Sequence, residues 1–167
     1  MILKKYISRI VNNMRYNAKK DSFRTPQFIT DYLKENYQIK SFFDPCPYNP
    51  HFDPLVDKDG LSYAWNHPYI FCNPPFSRSH MWLKKCIHEV LHNPNVKLIA
   101  FLCKPGGLCT QSFAPEGLFT HIIFFPKALQ FLPYTSRANF KSCVVVFRKS
   151  SETFGTFETF PVKDISY

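Results

Sequence analysis

The sequence lacks several features that define large classes of proteins. No apolar run approaches the roughly 20 residues needed to span a bilayer, and no secretory signal opens the chain. None of the six cysteines forms a Cys-x-x-Cys pair, and only His88 and His92 share a helical i, i+4 spacing, with no further ligands beside them. We therefore expect a soluble, intracellular protein with reduced core thiols, no metal site and no membrane contact.

The composition indicates one folded domain. A length of 167 residues allows a sizeable core, and 45% hydrophobic with 17% aromatic residues is too much for a disordered chain. There is no internal repeat and no low-complexity tract. We divide the chain into a basic extension, residues 1–20, and a single domain, residues 21–167.

The positive charge is concentrated at the start of the chain. The formal charge is +9, and because the first acidic residue is Asp21, the first twenty residues carry +6. Such a cluster is typical of a protein that binds a polyanion, although a solvated helix face is the alternative. Apolar residues at helical spacing predict an amphipathic helix over 2–16, which docks on the domain, on a second copy of the chain or on a protein partner. The six cations are Lys4, Lys5, Arg9, Arg15, Lys19 and Lys20.

The next segments alternate between helix and strand patterns. Thr25 is an N-cap candidate and Pro26 suits the first position of a helix that runs to Tyr37. Residues 41–43 predict a short strand, and 45–68, with five prolines, predict a long loop. A strand over residues 69–72 follows, in the order Tyr-Ile-Phe-Cys.

The second half of the chain continues this alternation. Apolar residues over 82–91 predict a helix that Asn93-Pro94 terminates, and 96–102 predict a buried strand. Strands over 121–125 and 142–147 follow, and the tail is weakly patterned, with Phe154, Phe157 and Phe160 as anchors. This order predicts an α/β sheet with parallel strands, to which the last pair adds an antiparallel edge. Asp44 and Asn73 directly follow strands and therefore share one edge of the sheet.

The tetrapeptide Asn73-Pro74-Pro75-Phe76 is the most informative motif. Its prolines fix φ and remove two amide donors, so the turn is rigid and presents carbonyl oxygens. The Asn73 side-chain oxygen and the Pro74 carbonyl oxygen form two acceptors, which suit the two hydrogens of a planar amino group. Phe76 offers a face on which an extruded base stacks. A proline-rich turn after a strand is the structural alternative.

The tetrapeptide stands within an ordered series of short motifs, which are Thr25-Pro26, Asp44-Pro45-Cys46, Asp59-Gly60-Leu61, Trp65, Asn73-Pro74-Pro75-Phe76 and Trp82. In this order and spacing the chain resembles the phage and mobile-element family of DNA adenine methyltransferases, the small Dam-like enzymes, over about residues 21–148. The resemblance implies an abbreviated Rossmann-like class I methyltransferase sheet with a C-terminal antiparallel strand pair. It also implies methyl transfer from S-adenosyl-L-methionine to the N6 amino group of adenine in DNA.

The resemblance implies cofactor contacts at the matching positions. Thr25 and Pro26 would hold the methionine end of the cofactor, whose carboxylate suits a helix N-terminus. Asp44 would hold the cofactor amino group or organise the loop around it, with an Asx turn as the alternative role. Asp59 would accept hydrogen bonds from the ribose hydroxyls, with an ordinary turn as the alternative. The full set of cofactor-binding candidates is Phe23, Thr25, Pro26, Asp44, Pro45, Cys46, Asp59 and Asn73.

The catalytic and nucleic-acid-binding residues follow from the same resemblance. Asn73, Pro74, Pro75 and Phe76 would form the catalytic tetrapeptide. Because no separate recognition domain fits in this sequence, either the basic extension and the connection 133–141 would contact DNA, or a protein partner would supply those contacts. Arg78, Arg137 and Lys141 complete the nucleic-acid-binding candidates.

Two departures from the family pattern are visible in the sequence. Residues 45–50 contain no glycine, so backbone approach to a cofactor would be stiffer than in most Rossmann-like methyltransferases. Only 28 residues separate Asp44 from Asn73, so the sheet must be abbreviated.

Other functions remain open at this point. Methyl transfer to RNA adenine, cytosine N4 or a protein glutamine amide would use a related tetrapeptide, and the basic charge disfavours the last. The other alternative is a nucleic-acid-binding module that keeps the fold but has lost the cofactor. Because the sulfonium of the cofactor is already activated, direct in-line transfer needs mainly orientation, and the sequence accordingly has no paired-carboxylate or Cys–His arrangement.

Overall fold

The computed structural model describes residues 23–53, 56–106, 118–149 and 155–161. Within these ranges the protein is an α/β structure with two α-helices and one five-stranded mixed sheet. No helix in this part of the chain is both long and apolar enough to cross a membrane. The helix predicted over 2–16 and the six cations of the basic extension lie outside the described residues.

The sheet combines parallel and antiparallel pairs. Its order is β1-β2-β4-β3-β5, with β1 parallel to β2, β4 antiparallel to both of its neighbours, and β5 parallel to β3. Two short 3₁₀ turns, Gly60–Ser62 and Phe76–Arg78, precede β1 and the second helix. The elements are α1, Gln27–Tyr37; β1, Tyr69–Cys72; α2, Ser79–His92; β2, Leu98–Cys103; β3, Leu118–Phe124; β4, Cys143–Lys149; and β5, Gly155–Thr159.

Both faces of the sheet are covered, which is why β2 and β4 are nearly continuous apolar runs. Alternate residues of the strands point to opposite faces. One face packs against α2, where Trp82 and Cys86 share a buried cluster with Ile99 and Val145. The other face packs against α1, whose buried residues are Ile29 and Leu33. The result is a three-layer arrangement of helix, sheet and helix.

Several of the predicted elements are confirmed. The strand over 69–72 has the predicted bounds, and α2 ends at the residue before Asn93. The strands over 96–102, 121–125 and 142–147 are present with ends shifted by one to three residues. The last two pair in antiparallel fashion, but β4 lies inside the sheet between β2 and β3, so this pair does not simply extend the edge.

Other predictions were wrong in detail. Thr25 is not the N-cap, because Arg24 pairs with Leu132 and keeps the chain extended as far as Pro26, which precedes the first helical residue. The strand over 41–43 shrinks to a single parallel bridge between Phe43 and Ile70, because the following prolines cannot donate to a ladder.

The tail contains a strand that its weak pattern did not predict. β5 runs parallel to β3 at the edge of the sheet. Phe160 is a buried anchor as expected, but Phe157 is 79% exposed and anchors nothing, because it lies on the edge strand. Phe154 lies outside the described residues.

The loops that carry the predicted site meet at one edge of the sheet. Asn73 and Lys104 directly follow the parallel strands β1 and β2. Phe43 pairs with Ile70 in the same direction, so Asp44 also lies at this end. Because β4 begins at Cys143, opposite the end of β2, the connection from β3 to β4 returns to the same edge.

Candidate functional site

Two cavities lie side by side at this edge of the sheet. Their volumes are about 350 and 320 Å³, within the size range of small-molecule sites. The first is enclosed by the loop after Asp44, the 3₁₀ turn at Gly60 and the start of α2. The second lies against the N-terminal part of α1. The wall that both cavities share is formed by Phe23, Asp44, Cys46, Tyr48 and Asn73.

Asn73 occupies the shared wall, where the end of β1 and Pro74 fix its backbone. It is 8% exposed, and its Nδ2 donates a hydrogen bond to the Phe23 carbonyl oxygen at 2.8 Å. Its main-chain oxygen accepts from the Cys46 thiol at 3.1 Å. The Oδ1 atom is buried and has no hydrogen-bond partner among the described residues, which is rare for a buried acceptor. The side chain is thus held by its donor end while its acceptor remains unpaired.

Asp44 lines the shared wall and also makes an Asx turn. Its Oδ1 accepts from the Cys46 amide at 2.9 Å, so the turn is real, and the carboxyl still faces both cavities. Burial raises the pKa of Asp44 to about 7, although the hydrogen bond from the Cys46 amide opposes this shift. A bound cation or amino group would relieve the desolvation of this carboxylate.

Asp59 lies in the wall of the first cavity. It caps the 3₁₀ turn by accepting from the Leu61 amide at 3.0 Å, as the turn alternative requires. Its other oxygen lies 3.9 Å from an Arg78 nitrogen. Arg78 also lines this cavity, although its predicted role is contact with nucleic acid.

Gly60 lies directly against the start of the proline-rich loop 45–50. A Cβ atom at Gly60 would lie 2.0 Å from the Pro45 carbonyl oxygen, so only glycine allows these two segments to approach. Trp65, which is fully buried, donates from Nε1 to the Gly60 oxygen at 2.9 Å. The glycine that this close approach requires therefore lies on the 3₁₀ turn, not in the proline-rich loop.

The second cavity is more basic and hydroxyl-rich. Thr25 lines it, together with Arg24, Thr30, Lys34 and Ser41. These side chains and the N-terminus of α1 favour an anionic group such as a carboxylate. Pro26 lines neither of the two cavities.

The four residues of the tetrapeptide do not all line the cavities. Pro75 lines the first cavity, whereas Pro74 is buried and Phe76 lines neither cavity. The Phe76 ring packs 4.9 Å from the Phe140 ring and 5.7 Å from the Phe23 ring. The Lys104 ammonium lies 5.2 Å from the centre of Phe76 and 4.2 Å from that of Phe140. The predicted stacking ring is thus part of an aromatic cluster next to Asn73, with a lysine against it.

Other residues at this edge were missed by the sequence analysis. Lys104 directly follows the parallel strand β2. Its position after a strand is the same signal that predicted Asp44 and Asn73. Tyr48 lies on the shared wall, and the Arg24 guanidinium lies over its ring, 5.3 Å from the ring centre. Of the predicted nucleic-acid contacts, Arg137 and Lys141 are exposed on the connection between β3 and β4.

The cysteines of the described ranges are free thiols. Burial raises the pKa of the Cys46 thiol, so it stays protonated and can donate to Asn73. Within the described ranges, no three histidine, cysteine or acidic side chains come together in an arrangement that could hold a metal ion.

Comparison with known protein families finds no family model that matches this chain, and comparison with curated proteins finds no match. Proposals about its function therefore depend on the geometry of the two cavities and on the motifs around them.

Proposed function

We propose that the chain transfers a methyl group from S-adenosylmethionine to the N6 amino group of adenine in DNA. The observation that carries the proposal is the buried, unpaired Oδ1 of Asn73 on the wall between two cavities. Such an atom costs stability in the free protein, so it is typical of a site that awaits a ligand donor.

The lining of the two cavities fits the two ends of this cofactor. Asp59 in the first cavity would accept from ribose hydroxyls, and the basic second cavity would hold the methionine carboxylate. Asp44 on the shared wall would face the cofactor's positive charge. The sheet supports the same assignment, since an abbreviated Rossmann-like methyltransferase sheet combines parallel strands with an antiparallel pair near the C-terminus.

The residues of the chain would act mainly by orientation. S-adenosylmethionine supplies an activated methyl group. Asn73 Oδ1 and the Pro74 carbonyl oxygen would accept the two hydrogens of the adenine amino group and aim its lone pair. The Phe23 carbonyl and the Cys46 thiol hold Asn73 in place for this task. The bond from sulfur to the methyl group would break as the bond from nitrogen forms, S-adenosylhomocysteine would leave, and the methylated amine would release one proton to solvent, so no strong base is required.

The decisive experiment is transfer of a radiolabelled methyl group to mixed-sequence DNA, with identification of the modified nucleoside. We expect N6-methyladenine, and a loss of about 100-fold for Asn73→Ala, comparable to the removal of one preorganised hydrogen-bonding group from other active sites. Asn36→Ala, on the exposed surface of α1, is the matched control and should retain activity. Failure of the wild-type protein to modify any nucleic acid would overturn the proposal.

The same assay separates the related substrates. N4-methylcytosine as the product, or transfer to RNA but not to DNA, would keep the chemistry and change the base or the polymer.

Asn73→Ala also tests whether the side chain of Asn73 contributes to stability. The substitution removes an unpaired acceptor along with one hydrogen bond. The melting temperature of the variant should therefore stay close to that of the wild type.

A nucleic-acid-binding module without cofactor is the second candidate. The position of Lys104 against Phe76 favours it, because a base could stack fully on Phe76 only after the lysine moves. Titration calorimetry with S-adenosylmethionine decides between the two. Absence of both heat and a thermal shift at millimolar cofactor, with DNA binding intact, would favour the module.

A further inference from the structure

A loop beside the site exposes large apolar side chains. Within the tip loop, defined here as residues 129–138, Leu132 is 45% exposed and Tyr134 is 39% exposed. In contrast, Leu129 and Phe131 of the same loop are buried. The loop is therefore anchored by two apolar residues while two others are presented to solvent.

The tip loop is held by main-chain hydrogen bonds. The Ala138 amide donates to the Leu129 oxygen at 2.8 Å and closes the base of the loop. The Tyr134 amide donates to the Phe131 oxygen at 2.9 Å and closes its turn. Since the backbone is tied at both places, Leu132 and Tyr134 project from a fixed support.

The tip loop is linked directly to the proposed base site. Leu132 and Arg24 exchange main-chain hydrogen bonds at 3.0 and 3.2 Å. Arg24 is next to Phe23, whose carbonyl oxygen receives the Asn73 hydrogen bond. The Tyr134 ring lies 5.5 Å from the Phe23 ring, so the exposed side chains border the wall on which Asn73 lies.

The charge around the tip loop favours a polyanion. The connection between β3 and β4, residues 125–142, contains three lysines and arginines and no acidic residue. Arg137 and Lys141 are exposed, and Lys104 lies against Phe140 at the base of this connection. Apolar side chains with a basic surround are typical of proteins that insert a wedge between stacked bases.

We propose that Leu132 and Tyr134 form a wedge that enters duplex DNA next to the target adenine and occupies the space that the extruded base leaves. This inference depends on the proposed function and adds duplex specificity to it. Taking a base out of the stack costs unpairing and unstacking energy, and an inserted side chain replaces part of the lost stacking. A single-stranded substrate needs no such replacement.

The test compares methyl transfer to duplex DNA with transfer to the same strand alone. We expect Leu132→Ala/Tyr134→Ala to lower kcat/KM on duplex by about tenfold or more, with a change of less than about threefold on the single strand. A mismatch opposite the modified adenine, placed at the site mapped with the wild-type protein, should restore most of the duplex activity. Tyr134→Phe keeps the aromatic ring and should behave as the wild type.

Controls separate a wedge from a general defect. Phe157→Ala removes an aromatic side chain that is even more exposed, 79%, from β5 at the edge of the sheet, and should leave both activities unchanged. Equal losses on duplex and single strand, or wild-type transfer only to single strands, would overturn the wedge and leave the proposed function intact. If the wild-type protein methylates neither DNA nor RNA, both proposals fail.

Discussion

Asn73 and Asp44 are two polar side chains that the fold buries without fully satisfying. The Asn73 acceptor has no partner in the described residues, and the Asp44 carboxyl keeps only one hydrogen bond, from the Cys46 amide. A buried polar atom without a partner destabilises a protein by about 1–3 kcal/mol. An unpaired acceptor and a carboxyl with a raised pKa on one wall are together typical of a ligand site.

The raised pKa of Asp44 gives a prediction about stability. The ordinary value is 3.8 and the folded value is about 7, so between these two pH values the folded protein binds more protons than the unfolded chain. The contribution of Asp44 to stability is therefore fully present below pH 3.8 and is lost as the pH rises through 7. We expect Asp44→Asn, which can still accept from the Cys46 amide, to be increasingly more stable than the wild type from pH 4 to 7.5, by urea unfolding.

A surface carboxylate provides the control for this measurement. Asp31→Asn lies on the exposed side of α1 and should change the free energy of unfolding by less than about 0.5 kcal/mol at each pH. A difference between wild type and Asp44→Asn that does not grow with pH would show that the carboxyl is not desolvated in the folded protein.

At the scale of elements, the sequence predicts those segments that show either an uninterrupted apolar run or apolar residues at helical spacing. Residues 69–72 and 98–103 are uninterrupted apolar runs because each is buried on both faces, and α2 shows helical spacing with a terminating Asn-Pro. β5 was missed because Gly155–Thr159 is mostly exposed and has no such run. Pairing with β3, not its own pattern, makes this segment a strand.

The site was predictable only in part, for a similar reason. Positions directly after parallel strands identified Asp44 and Asn73, because all such strands end at one edge. The hydrogen bond from Asn73 to Phe23 joins residues 50 positions apart, and the aromatic cluster joins Phe76 to Phe140. No local sequence pattern predicts these contacts, because they depend on how the chain folds back, including how the connection from β3 to β4 returns to the edge of the sheet where the cavities lie.

The segment between the 3₁₀ turn and β1 is tied to α2 by a buried carboxylate. Glu89 is 2% exposed and pairs with Lys85 at 2.6 Å, while it accepts from Asn93 and from the Trp65 amide. Burial alone would raise the pKa of Glu89, but these hydrogen bonds and the lysine charge hold it below its usual value. The carboxylate thus positions Trp65, which in turn holds Gly60 beside the first cavity.

We expect Glu89→Gln to lower the free energy of unfolding by about 2 kcal/mol, because it leaves the half-buried Lys85 ammonium beside a neutral group. Urea unfolding at pH 7 measures this loss. Glu35→Gln, on the exposed side of α1, is the matched control and should stay within about 0.5 kcal/mol of the wild type. If both variants unfold at the same urea concentration, the pair does not support the segment.

For the whole molecule, the distribution of charge determines how a polyanion would bind. The described residues place basic side chains at the same edge as the two cavities, on the connection from β3 to β4 and at Lys104. The remaining concentrated charge is the basic extension, whose six cations precede Asp21. Its contribution is therefore best separated by an experiment that reports the number of phosphates neutralised.

Removal of residues 1–18 takes away four of these cations, Lys4, Lys5, Arg9 and Arg15. If each neutralises one phosphate, the slope of the logarithm of DNA affinity against the logarithm of salt concentration should become shallower by about 3 to 4 units. Replacing the same four residues by glutamine in the full chain keeps the apolar face of the predicted helix and should give the same change. If the deletion and the glutamine variant both leave the slope unaltered, the extension does not contact phosphate. A shift in sedimentation of the deleted protein alone would then identify residues 2–16 as a self-association helix.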